Sequence, residues 1–182
     1  MFRLVFAAAL LLAPVAVQAA SPKPPTLEQR LQKVEDELAL NRLIQDYTVR
    51  LTSRDFDGYV ALFAPNGTWR NGATLKTGHA EIKAMLVAMF PNTPAGYVNN
   101  NSYMLVSNIR LDIDGDHAKG WSRQLSIIRG KDGDPTPVLS GMYEDEFVRL
   151  NGQWKILHRN DITFIPTPEI WQKKMASGMF QD

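Results

Sequence analysis

From Ser102 onward the apolar residues fall into a rhythm of two, and turn-forming clusters cut that rhythm at regular places. The cuts are Asp114-Gly115-Asp116, Lys131-Asp132-Gly133-Asp134 and Asn151-Gly152. This predicts four strands in series, at about 102–113, 117–129, 138–150 and 153–165, joined as hairpins. The upstream half has helical spacing instead. Thr26 with Gln29 has the spacing of a capping box. Leu27, Leu31, Val34 and Leu38 then follow a 4-3-4 rhythm, and Ile44, Tyr47 and Leu51 continue an apolar stripe. One long helix, or two joined, is predicted from Thr26 to Thr52. Its first turns either lie along the same chain, the blander reading, or pack against a second copy.

A short second helix is expected from Asp55 to Phe63, ended by Pro65-Asn66-Gly67. Thr68-Trp69-Arg70 then begins a strand, and Asn71-Gly72 signals a turn. A third helix is expected from His79 to about Phe90, with Ile82, Met85, Leu86 and Met89 on one face. Helices followed by a run of hairpins define an α+β class, with the helices packed on one face of an antiparallel sheet.

The first residues read as a leader. Met1-Phe2-Arg3 is a short basic start, Leu4 to Val17 is apolar, and Val17-Gln18-Ala19 puts small or medium residues at the places a signal peptidase reads. The pattern predicts a signal peptide over 1–19, cleaved after Ala19 or Ala20, and hence a periplasmic or secreted protein with no membrane attachment after cleavage. Residues 20–25 form a proline-rich linker, 26–166 the domain, and 167–182 a tail with a short amphipathic piece from Ile170 to Met179.

Composition removes several classes of function. The 182 residues suit one domain. The formal net charge is +1, from 20 basic and 19 acidic residues, so a basic nucleic-acid face is not indicated. There is no cysteine, which excludes a lipoprotein anchor, disulfides and thiolate metal sites. His79, His117 and His158 are far apart in sequence and make no metal signature; His79 and His117 are expected at the surface. No glycine-rich phosphate loop follows a strand, and no Gly-x-Ser-x-Gly motif is present. No metal and no cofactor are implied.

Several stretches resemble a known family in order and spacing. "LIQDYTVRLTSRDFDGYVALFAPNGTW" is similar to the opening of SnoaL-like domains of the nuclear-transport-factor-2-like superfamily. "TGHAEIKAML", "VSNIRLDIDGDHAKGWS" and "GMYEDEFVRLNGQWKILHR" resemble the pieces that follow, so that the likeness runs from about Leu27 to Phe164. The resemblance implies a cone-shaped, curved, antiparallel-rich sheet with three helices on its concave face and an apolar pocket between them. It also implies a choice among dehydration, dehydrochlorination, double-bond isomerisation, polyketide cyclisation and plain ligand or protein binding. Fold alone does not decide among these.

The usual catalytic groups of that family are missing. Where the dehydratase-like branch has an Asp, five residues after a helical Tyr, stands Thr52. Where it has a His, four residues before a strand Asn, stands Met104, ahead of Asn108. Thr52 is not a base near neutral pH, and a thioether cannot carry a proton. Where the steroid-isomerase-like branch keeps its carboxylate base stands Asn71. The resemblance leaves Tyr47 and Arg159 as polarising or anion-stabilising groups and Asp145 as an acid, base or oxyanion donor. A competing reading makes Tyr47 a core tyrosine and pairs Asp145 with a nearby arginine. Trp69, Asn71, Met104, Asn108 and Tyr143 are the expected ligand contacts.

The last strand gives two conflicting readings. Apolar alternation groups Trp154, Ile156, Ile162 and Phe164 on one face with His158. The resemblance turns Arg159 inward instead, on the face of Leu157, Asp161 and Thr163. The expected function is a pocket for a small hydrophobic molecule, with lyase- or isomerase-type chemistry. The alternative is a non-catalytic binding or interaction domain. The expected partners are a small hydrophobic ligand and a second or third copy of the chain.

Overall fold

The computed structural model describes residues 24–177. The expected signal peptide, its cleavage point and the last residues of the tail lie outside them. Among the described residues no helix is long and apolar enough to cross a membrane.

Helix α1 spans Leu27–Thr52. Its capping box is formed: the Thr26 hydroxyl accepts from the Gln29 amide and the Gln29 side chain returns to the Thr26 amide. Two orphan amides at the helix start are thereby satisfied. The buried face begins only at Asp36 and continues through Leu40, Leu43, Ile44, Tyr47 and Thr48. Asp36 ties the helix to the sheet, accepting from Arg149 Nη2 at 2.6 Å and Trp154 Nε1 at 3.0 Å. Burial pushes its carboxyl up, but those bonds and one from Gln32 outweigh it and hold it below the usual range. The earlier apolar stripe does not lie along the domain, as the blander reading had it. Leu27, Leu31, Val34 and Leu38 are 53–77 % exposed.

Helix α2 is short, Phe56–Val60, capped by Asp55, which accepts from the Gly58 amide at 2.8 Å. Strand β1 (Phe63–Asn71) pairs with β2 (Thr74–Thr77), and α3 (Gly78–Met89) follows. The third helix thus comes after the first hairpin rather than before the sheet. Strands β3 (Ser102–Asp114), β4 (His117–Arg129), β5 (Pro135–Leu150) and β6 (Gln153–Ile165) form consecutive antiparallel hairpins, and α4 (Pro168–Ala176) ends the described chain. The six-stranded sheet runs β2-β1-β6-β5-β4-β3 and is not closed. Its one parallel pairing joins β1 to β6. The expected α+β class and antiparallel-rich sheet are found.

Two irregularities place the site. Pro65-Asn66-Gly67 does not end a helix; it lies inside β1, at the register shift between Phe63 and Thr68. β6 approaches so closely there that a Cβ on Gly67 would meet the Ile156 carbonyl oxygen at 2.8 Å. Only glycine leaves that space. The second irregularity lies opposite, in β6. Ile156 pairs with Phe147 and His158 with Glu146, so Leu157 is an extra residue, a bulge. The bulge reverses the facing of the strand. Trp154 and Ile156 are buried before it, and Arg159 and Thr163 after it. Each reading of β6 was therefore right for half of the strand.

The core between helices and sheet contains Leu40, Ile44, Tyr47, Tyr59, Phe63, Ile82, Leu86, Tyr143, Phe147 and Ile156. Tyr47 packs tilted on Tyr59 at 4.6 Å and edge-on to Tyr143 at 5.4 Å between ring centroids, arrangements that aromatic quadrupoles favour.

Candidate functional site

A cavity of about 310 Å³ opens between the concave face of the sheet, the end of α1, helix α3 and helix α4. Its walls are mainly apolar, from Leu51, Met85, Met89, Met104, Ile127 and Leu139. Asp161 is the one carboxylate among its described lining residues, with Gln124 and Asn71 beside it.

Asp161 reaches the cavity because of the bulge, which turns Arg159, Asp161 and Thr163 inward. Gln124 Nε2 donates to Asp161 Oδ1 at 2.7 Å. The amide is oriented from behind, since the Tyr143 hydroxyl donates to Gln124 Oε1 at 2.6 Å. A phenol must donate in that contact for the amide nitrogen to face the carboxylate. Asn71 also bonds the carboxylate, and its Nδ2 donates to Thr163 Oγ1 at 3.3 Å. Burial dominates the protonation of Asp161. The Arg159 charge and the amide bonds pull the other way without matching it, and the carboxyl is pushed up to about 7. A group with that value both donates and accepts a proton near neutrality.

The expected site residues divide. Tyr47, Trp69, Asn71 and Met104 line the cavity. Tyr47 accepts from Trp69 Nε1 at 3.1 Å. Burial raises its hydroxyl to about 12, against the opposing pull of Arg159, so it is a neutral phenol at physiological pH. Thr52 and Met104, in the places of the missing dyad, both face the cavity. The Thr52 hydroxyl is spent on the Thr48 carbonyl, 2.8 Å away.

Asp145 and Arg159 are brought together, but outside the cavity lining. Arg159 Nε and Nη2 donate to the two Asp145 oxygens, both at 2.7 Å, with both side chains buried. The guanidinium carbon lies 3.9 Å from the Tyr47 ring centroid and 4.3 Å from that of Tyr143. Arg159 Nη1 has no hydrogen-bond partner. Asp145 therefore does not fill the expected role of acid or base: both its oxygens are held by a fixed cation, and the competing reading of an arginine pair describes it. Arg159 is not among the cavity's lining residues and acts on it through its field on Asp161 and Tyr47.

Two expected ligand contacts also fall elsewhere. Tyr143 is fully buried behind Gln124. Asn108 is exposed at a bulge in β3, with φ of 53°. Its left-handed backbone turns it out of the strand's alternation. The histidines stay clear of the site. His158 is exposed and bonds Thr68 Oγ1 at 2.9 Å, and His79 bonds the Phe63 carbonyl at 3.0 Å, partly buried rather than at the surface as expected. Among the described residues no group of three or more His, Asp or Glu could hold a metal ion.

Asp161 is the residue that sequence reasoning missed. Its signal was present, since it shares the face of Arg159 in a regular strand. Apolar alternation around Ile162 and Phe164 argued for the opposite face.

An open α+β cone with a part-apolar cavity and a carboxylate in its wall defines a small-molecule-binding type of domain. The sequence profile of the SnoaL-like domain matches residues 32–160, and the chain belongs to that family. An uncharacterized protein of Mycobacterium tuberculosis is 25% identical over 132 residues, covering 70% of this chain and 84% of that protein. Two solved structures from Novosphingobium aromaticivorans share the fold. A nuclear-transport-factor-2-like protein with a cystatin-like fold superposes with a TM-score of 0.66 at 18% identity, over 80% of this chain and 93% of its own. A candidate scytalone dehydratase superposes with a TM-score of 0.63 at 25% identity, over 75% of this chain and 89% of its own.

Proposed function

We propose that the cavity binds a small, largely apolar molecule and that Asp161 moves a proton on it, in a lyase- or isomerase-type reaction that needs no cofactor. The observation that carries this reading is a carboxyl raised to about 7 in the wall of an apolar cavity, oriented by Gln124 and Asn71. Tyr47 and Trp69 supply polar edges near it, and an apolar surround strengthens each such contact. The dehydratase-like character of one structural relative supports the same class of reaction. In the usual dyad a histidine is the base. Here the proton carrier stands on the last strand instead, and Thr52 and Met104 only shape the wall.

The test is deuterium wash-in at carbons next to a carbonyl, followed by NMR on a panel of cyclic ketones and enones. The parent protein is expected to catalyse exchange on at least one member, and Asp161→Asn to lose it by about 100-fold or more, the usual scale for a general base. Exchange unchanged in Asp161→Asn, or absent throughout the panel, defeats the catalytic reading.

A second reading is favoured by the exposed stripe of Leu27, Leu31, Val34 and Leu38. In it, α1 carries an interface between copies of the chain, whether or not the cavity is catalytic. Light scattering would show a dimer or trimer for the parent and a monomer for a Leu31→Glu, Leu38→Glu variant. We also propose export, from the leader pattern of residues 1–19; N-terminal sequencing of the mature protein starting at Ala20 or Ser21 would support it.

A further inference from the structure

Next to the cavity lies a second space, a cleft of about 230 Å³ bounded by the loop after α3 and the β4–β5 turn. It shares Arg54, Phe90, Ser102 and Ile128 with the cavity wall. Its charged lining residues are Arg54, Arg129 and Lys131, with no carboxylate among them. Among the described residues none of the three forms an ion pair, although Asp132 and Asp134 occupy the same turn as Lys131.

Arg54 is the distinctive member. It follows α1 with a φ of 61°, and its half-buried side chain lines both the cleft and the cavity. Its guanidinium lies 3.5 Å over the Phe90 ring centroid and 5.3 Å from that of Tyr97. Nη1 donates to the Leu51 carbonyl at 2.9 Å. Burial pulls its pKa down, the mark of a cation without a counter-charge. Aromatic faces offset part of that cost. A guanidinium has five N–H donors, so most of its capacity stays available for an anion in the cleft.

We infer that the molecule bound here is an amphipathic anion, a hydrophobic carboxylate whose apolar body fills the cavity and whose head group is held by Arg54, with Arg129 and Lys131 at the rim. This rests on the cavity being the ligand site. It adds the substrate class, because an apolar molecule without a charge would leave the three cations without a counter-charge, Arg129 holding only the Asn100 carbonyl at 2.8 Å. Asp161 is compatible with such a ligand: with a value of about 7 it takes up a proton readily near neutral pH, and a carboxylate nearby favours its protonated form.

The test compares 1-naphthoate with the uncharged 1-naphthalenemethanol, by calorimetry on the full mature chain at low and high salt. Naphthoate is expected to bind about tenfold or more tightly, the scale of one charge-assisted arginine contact. Arg54→Gln is expected to abolish that preference while leaving naphthalenemethanol binding in place. The double variant Arg129→Gln, Lys131→Gln changes only exposed side chains and is expected to reduce the preference and its salt dependence. Equal binding of both compounds, or a naphthoate preference that survives in both variants, overturns the anion site and leaves the cavity reading standing. Binding of neither compound overturns both.

Discussion

Two carboxylates sit on the same concave sheet face, on neighbouring strands, with opposite fates. Asp145 receives two charged hydrogen bonds from Arg159 and is closed off from the cavity. Asp161, two residues beyond that arginine, receives neutral amides from Gln124 and Asn71 and opens to the cavity. A full positive charge in bidentate contact occupies both oxygens of a carboxylate. Amide dipoles only partly replace the water that burial removes. The comparison shows how one fold ties up one acid in a fixed ion pair and leaves another open to the cavity.

The largest effect is expected from breaking the fixed pair. Arg159→Met leaves Asp145 buried without its cation and should cost about 3–5 kcal/mol in urea unfolding. Adding Asp145→Leu should recover most of that loss, since neither charge then remains. If the single variant unfolds like the parent, the pair is not what holds the region. Carbon NMR of the same variant sharpens the contrast. Removing the nearby cation should move the Asp161 midpoint upward from about 7.

The titrating acid is expected to act on stability in the other direction. Its folded value lies above its ordinary 3.8, so the folded state holds the proton more tightly than the unfolded chain. Stability from this group is present below about pH 4 and lost as pH rises through about 7, after which the cost is constant. Asp161→Asn should therefore be more stable than the parent at pH 8, by on the order of 2 kcal/mol given the group's partial exposure. The gap should close towards pH 4. Thermal melts across that range check the sign. A gap that widens on acidification contradicts the assignment.

The smallest effect is expected behind the titrating acid. Tyr143→Phe removes the donor that orients Gln124 and should cost about 1 kcal/mol in stability. It leaves the Gln124 amide free to flip, so the pH midpoint of Asp161 should spread or shift in carbon NMR while the fold persists. An unchanged midpoint would show that Asn71 alone positions the carboxylate.

Much of the architecture could be read without the structure. The capping box at Thr26, the Asp114-Gly115-Asp116 turn and the Asn151-Gly152 hairpin each act within a few residues of themselves. All three fall where the sequence places them. In the last, Asn151 and Gly152 have φ of 50° and 78°, the positive pair that a two-residue hairpin requires. The family pattern also brought Tyr47, Trp69, Asn71 and Met104 to one cavity. It failed at Asn108 and at Pro65-Asn66-Gly67, where a bulge replaces regular pairing, and at Asp145, whose partner Arg159 stands directly opposite on the neighbouring strand.

Local chemistry in the sequence determined the order of helices and hairpins, the turn positions and the absence of the usual dyad, because each depends on neighbours along the chain. Which acid titrates was decided only by tertiary structure. One extra residue, Leu157, shifts the facing of β6, and that shift appears only when β6 is paired with β5. It puts Arg159 against Asp145 and leaves Asp161 in the cavity without a cation in direct contact, so burial decides how that acid holds its proton.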